Sequence, residues 1–144
     1  MPKTAVFYLD ARVLGLPAVT DVRVSDLDDL LLRIRAIYPL EVIIITSPLM
    51  DGTVRRRIGM LSVTDIVGAA THSPTATAGA VTRDSHVRKA RGAASGWLLA
   101  LDAPAERLRA AVVPVRLLAV GLRVDPPSIE DIEEPLLTPA RRKI

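Results

Sequence analysis

Four polar residues in this chain close three apolar runs. Asp10 ends Val6-Phe7-Tyr8-Leu9-Asp10, Thr46 and Ser47 end Val42-Ile43-Ile44-Ile45-Thr46-Ser47, and Asp102 ends Trp97-Leu98-Leu99-Ala100-Leu101-Asp102. A carboxylate at one strand end and a hydroxyl at the next can serve phosphoryl transfer, the carboxylate as nucleophile or cation ligand, the hydroxyl as a donor to a phosphoryl oxygen. Arg12 stands two residues beyond Asp10. Its guanidinium stays protonated to above about pH 12, so it cannot donate and recover a proton.

Such groups are useful only if the fold brings them together. The runs are too short for typical helices and rich in β-branched residues, as buried parallel strands are. Strands are expected over 5–9, 41–46, 65–70, 97–101 and 115–120. Between the first two, Ser25-Asp26 opens a helix whose Leu27, Leu30, Leu31, Ile34 and Ile37 recur at helical spacing until Pro39 stops it. Further helices are predicted over 51–60, over 84–94 (capped by Asp84 or Ser85), over 104–110 and from near Ser128. Residues 13–24 read as a loop or small hairpin. The Thr-, Ala-, Ser-, Gly- and Pro-rich segment 71–82 reads as an exposed loop. Alternating strands and helices imply a three-layer, Rossmann-like α/β fold with a mainly parallel sheet of about five strands. Right-handed crossovers then gather Asp10, Thr46, Ser47 and Asp102 at the carboxyl edge, where open α/β sheets bind ligands.

The bulk composition supports one such domain. The chain has 144 residues, and 49% are hydrophobic while only 3% are aromatic, so the core must be built from Leu, Val, Ile and Ala. Residues 1–139 are expected to form one domain and 140–144 a basic tail. The absence of cysteine excludes disulfides, thiolate metal sites and a cysteine nucleophile, and fits a reducing cytoplasm. The net charge of +3 is a weak argument for nucleic acid, because acids nearly match bases. Arg55, Arg56 and Arg57 read as a solvated helix face, with a polyanion contact as the open alternative. His72 and His86 read as exposed residues of a loop and a helix, and Trp97 as packing. No segment has the length and apolarity of a signal peptide or membrane span, so a soluble, cytoplasmic protein is expected.

The order of these elements resembles the haloacid dehalogenase (HAD) superfamily, and more narrowly the small capless HAD domains found alone or in bacterial RNA-repair proteins. Tyr8-Leu9-Asp10-Ala11-Arg12-Val13-Leu14 is similar to the first motif of that family, a strand running into Asp-x-Asp. Ile43-Ile44-Ile45-Thr46-Ser47 resembles the second, Gly68-Ala69-Ala70-Thr71 with Arg83 the third, and Trp97 to Asp102 with Glu106 the fourth. The likeness covers about residues 5–137. It departs at Arg12, where the family has its second Asp, and at Asp102-Ala103, where many members have two adjacent acids. The first motif is therefore degenerate.

The resemblance implies a phosphohydrolase in which Asp10 attacks phosphorus and Thr46 or Ser47 binds a phosphoryl oxygen. Arg83, or less favourably Lys89, would offset negative charge. Mg²⁺ would be held by Asp10, by the main-chain carbonyl of residue 12, and by Asp102 or Glu106. With Arg12 in place of the general acid, catalysis is expected to be impaired. The implied substrate is a phosphorylated small molecule or a nucleic-acid end. A protein partner stays open. Two other readings also remain: a non-catalytic module of the same fold binding a phosphorylated ligand or a protein, and a PIN-like metal-dependent nuclease using Asp10 and Asp84.

Overall fold

A computed structural model of the chain describes residues 4–11, 29, 31–36, 39–46, 63–69, 73–100 and 105–119. The strands are β1 (Thr4–Asp10), β2 (Leu40–Thr46), β3 (Asp65–Gly68), β4 (Ala93–Ala100) and β5 (Val115–Ala119). They form a single sheet in the order β3-β2-β1-β4-β5, and every neighbouring pair is parallel. The expected Rossmann-like α/β fold is present. Residues 31–36 (α1) are helical between β1 and β2, α2 (Pro74–Ala90) joins β3 to β4, and α3 (Ala105–Leu108) joins β4 to β5.

The strand order explains the layering. From β1 the chain builds outward through β2 to β3, then returns across the sheet to β4 and β5. Right-handed crossovers in opposite directions place α1 on one face and α2 with α3 on the other. Side-chain alternation divides the core accordingly. Val6, Tyr8, Ile43, Ile45, Leu98 and Ala100 pack with Ala78, Ala80 and Val81 of α2 and Leu108 of α3. On the other face Ala5, Phe7, Leu9, Val42, Ile44, Trp97 and Leu99 are all buried, with the rings of Phe7 and Trp97 6.3 Å apart. Leu31 and Ile34 of α1 are buried as their spacing predicts. Gly96 has a packing reason: a Cβ there would lie 2.5 Å from Val6 Cγ1 and 2.6 Å from the Val6 carbonyl oxygen of β1.

Two boundaries differ from the sequence reading. The segment expected as an exposed loop over 71–82 is, from Pro74 onward, the first half of α2. The Ser73 hydroxyl accepts from the Ala76 N–H at 3.1 Å and Pro74 opens the first turn, where its missing N–H costs nothing. The small residues that suggested a loop let the helix sit close to the sheet, with Thr77, Ala78, Ala80 and Val81 buried. Asp84 and Ser85, expected as the cap, are instead buried in mid-helix. The helix also ends earlier than 94: Gly92 turns the chain at a φ of 98°, and β4 begins at Ala93, four residues before the predicted strand start. The expectations for 13–24, 51–60 and the helix from Ser128 lie outside the described residues, as do those for Arg55, Arg56, Arg57 and His72. His86 is exposed. Among the described residues no helix is long and apolar enough to cross a membrane.

Candidate active site at the carboxyl edge of the sheet

In the strand order the chain runs outward from β1 through β2 to β3 and then resumes at β4 on the other side of β1. Strands β1 and β4 therefore flank the topological switch point, where an open α/β sheet has its ligand crevice beyond the carboxyl ends of the strands. Asp10 is the last residue of β1 and sits at this switch point. It is only 2% exposed. Its partner across the ladder is Ile45, so Thr46, the last residue of β2, lies one step further along the neighbouring strand. From above, the first turn of α2 supplies Thr77, whose hydroxyl donates to Asp10 Oδ2 at 3.4 Å. That end of α2 also turns its N-terminal dipole toward the crevice, a field that favours anions.

The structure thus places Asp10 and Thr46 at adjacent strand ends. Arg83 is exposed on α2, and its Nη1 lies 3.5 Å from where a Cβ would stand on Gly79. Six residues beyond Thr77, it is about 240° around the helix from the residue that touches Asp10. No described contact joins Arg83 to Asp10. Lys89 is also exposed, about one and two-thirds turns further along the helix from its N-terminus. Arg12, Ser47 and Asp102 lie outside the described residues, as does the side chain of Glu106.

Sequence reasoning missed Thr77 because it fell within the supposed loop. It also missed a buried polar network below the site. The Tyr8 hydroxyl donates to Asp84 Oδ2 at 2.9 Å. Arg88 binds Asp84 through Nε at 2.9 Å and Nη2 at 3.3 Å, Glu41 through Nη1 at 2.7 Å, and Asp65 through Nη2 at 3.2 Å. Arg91 adds a contact to Glu41 at 3.1 Å. The network therefore ties α2 to β1, β2 and β3. The spacing of Asp84 and Arg88 at i and i+4 was the available signal. The nuclease reading requires Asp84 at a metal, and here that carboxylate is buried against Tyr8 and Arg88.

Burial pushes the Tyr8 hydroxyl above its ordinary value of 10.0, and the charge and hydrogen bond of Asp84 push it further. For Arg88 burial acts downward, but hydrogen bonds and charge from Asp84, then Glu41, outweigh it and raise the guanidinium above its already high ordinary value. Tyr8 is held neutral in the fold while the unfolded chain ionises near 10, so its contribution is intact below that pH and is lost above it. Stability should fall above about pH 10, with Tyr8 contributing up to about 1.4 kcal/mol per pH unit. Denaturant titrations at pH 9 to 11 should show a shallower decline in Tyr8→Phe than in wild type. Equal declines would contradict this assignment.

Fold and site together define the class: an α/β protein with an all-parallel sheet and a buried carboxylate at its topological switch point. Comparison with family models, curated proteins and solved structures finds no match for the chain.

Proposed function

We propose that this chain is a HAD-like phosphohydrolase domain that acts on a phosphate ester through Asp10, with turnover slowed by Arg12. The observation that carries the reading is the placement of Asp10. It is a buried carboxylate ending the strand at the switch point, with the Thr46 residue at the neighbouring strand end and the α2 N-terminus facing the same crevice. A carboxylate oxygen of Asp10 forms the bond to phosphorus while the ester P–O bond breaks. The alcohol leaves as an alkoxide that takes its proton from water, since Arg12 has none to give. Water then attacks the phosphorus of the acyl phosphate, releasing phosphate and restoring the carboxylate. Thr46 and Ser47 are assigned to phosphoryl oxygens, and Arg83 to charge compensation.

A hard dication suits this donor set. Asp10 supplies a carboxylate where one is needed, and Asp102, Glu106 and the carbonyl of residue 12 are the assigned further ligands of Mg²⁺. When bound, the ion would supply charge stabilisation to the phosphoryl group. Among the described residues no group of three or more His, Cys, Asp or Glu could hold a metal ion; the ligands assigned besides Asp10 follow β1 and β4 in the sequence. A phosphorylated small molecule or a nucleic-acid end is the proposed substrate class, and the cysteine-free chain suits a reducing cytoplasm.

Wild-type protein should hydrolyse an aryl phosphate slowly, only with Mg²⁺, and not at all after Asp10→Asn. Brisk activity that survives Asp10→Asn would refute the assignment.

A further inference from the structure

Thr77 of α2 donates a hydrogen bond to Asp10, and the way α2 is anchored shows what that hydroxyl is for. Tyr8 and Asp10 stand two residues apart on the same face of β1, and each receives one side chain from α2: Asp84 on Tyr8, Thr77 on Asp10. Thr77 and Asp84 are seven residues apart, two turns of helix on nearly the same face and about 10 Å along the axis. Two strand residues cover about 7 Å, and the length of the tyrosine side chain makes up the difference. The helix cannot turn or slide without breaking both contacts. The lower contact is anchored by Arg88, itself 2% exposed and bound to Asp84 and Glu41. The upper one ends on the carboxylate of the site.

We infer that Thr77 is a positioning residue for Asp10: its hydroxyl, delivered by the anchored α2, fixes the plane of the carboxylate and selects which oxygen reacts. The inference rests on the phosphohydrolase reading above. Thr77 is 3% exposed and its backbone N–H is already committed to the Ser73 carbonyl at 3.0 Å, so its hydroxyl is what meets Asp10. Oδ2, the oxygen that accepts from Thr77, becomes the carbonyl oxygen when Oδ1 bonds to phosphorus. Its hydrogen bond is kept through the step, and no proton moves to or from Thr77.

The test is a titration of the full chain with beryllium fluoride in the presence of Mg²⁺, followed by ¹⁹F resonances of the bound species. Thr77→Val, which keeps the shape and removes the donor, should weaken binding about tenfold, the lower end for a hydrogen bond to a charged group. Thr77→Ala gives the same comparison should the valine variant not fold. Thr77→Ser, which restores the donor, should stay within about twofold of wild type. Tyr8→Phe, in which Arg88 still ties Asp84 of α2 to Glu41 of β2, should lower the melting temperature at least as much as Thr77→Val yet leave the affinity unchanged, which a merely structural role for Thr77 would not produce. Unaltered binding by Thr77→Val and Thr77→Ala, with Asp10→Asn inert, would overturn the positioning role alone. So would a loss in Tyr8→Phe as large as that in Thr77→Val. Failure of wild type to bind, or undiminished binding by Asp10→Asn, would overturn the phosphohydrolase reading and the role of Thr77 with it.

Discussion

Arg88→Ala is expected to destabilise the protein by about 3–5 kcal/mol, the cost of leaving buried charges without their partner. For a domain of this size that lowers the melting temperature by roughly 10–20 °C. The reason lies in what remains. Among the described residues Asp84, whose side chain is 6% exposed, would keep the Tyr8 hydroxyl alone, and Glu41, 16% exposed and still paired with Arg91, would face it without the intervening guanidinium. Asp65 is different. It is 55% exposed, so its contact with Arg88 is screened by water and Asp65→Asn should cost no more than about 1 kcal/mol. Thermal unfolding of both variants at neutral pH checks the contrast. Replacing Asp84, Arg88 and Tyr8 together by Leu, Met and Phe should recover much of the loss, since apolar packing often substitutes for a buried ion pair.

The second large effect concerns catalysis. Arg12→Asp should raise the rate of phosphate-ester hydrolysis at least tenfold, within the range of about 10²–10⁴ contributed by general acid–base groups. Of the parts the reaction needs, the nucleophile and the phosphoryl-binding hydroxyls have residues assigned to them, and the proton donor does not. The gain should be larger for alkyl than for aryl phosphates, because a good leaving group needs little protonation. Adding Asp10→Asn to Arg12→Asp should abolish it. A folded Arg12→Asp protein that binds Mg²⁺ and remains inert would instead favour a module that binds phosphorylated ligands without turning them over.

The sheet was legible because burial on both faces imposes continuous apolar runs, and Val6-Phe7-Tyr8-Leu9 and Val42-Ile43-Ile44-Ile45 have no competing helical pattern. Asp10 and Thr46 were legible for the same reason: a polar residue closing such a run must lie at the strand end. The first half of α2 was not. Its buried face consists of Thr77, Ala78, Ala80 and Val81, small residues that produce almost no amphipathic signal, while Ser73-Pro74 reads equally as a turn or as a helix start. With 71–82 reading as a loop, nothing in the sequence places Thr77 near Asp10, and Asp84 or Ser85 reads as a cap. The network had a local half, Asp84 with Arg88, and a distant half, Glu41 and Asp65 at the starts of β2 and β3. Only the strand order brings that distant half within reach.

The central claim, that Asp10 is the nucleophile of a phosphoryl-transfer site, is tested most directly by the crystal structure of the wild-type protein soaked with Mg²⁺ and beryllium fluoride. The account predicts a tetrahedral fluoroberyllate bonded to a carboxylate oxygen of Asp10, with Thr77 on the other oxygen and Thr46 or Ser47 on a fluorine. Crystals that bind the ion elsewhere, or leave Asp10 unmodified at saturating fluoride, would contradict it.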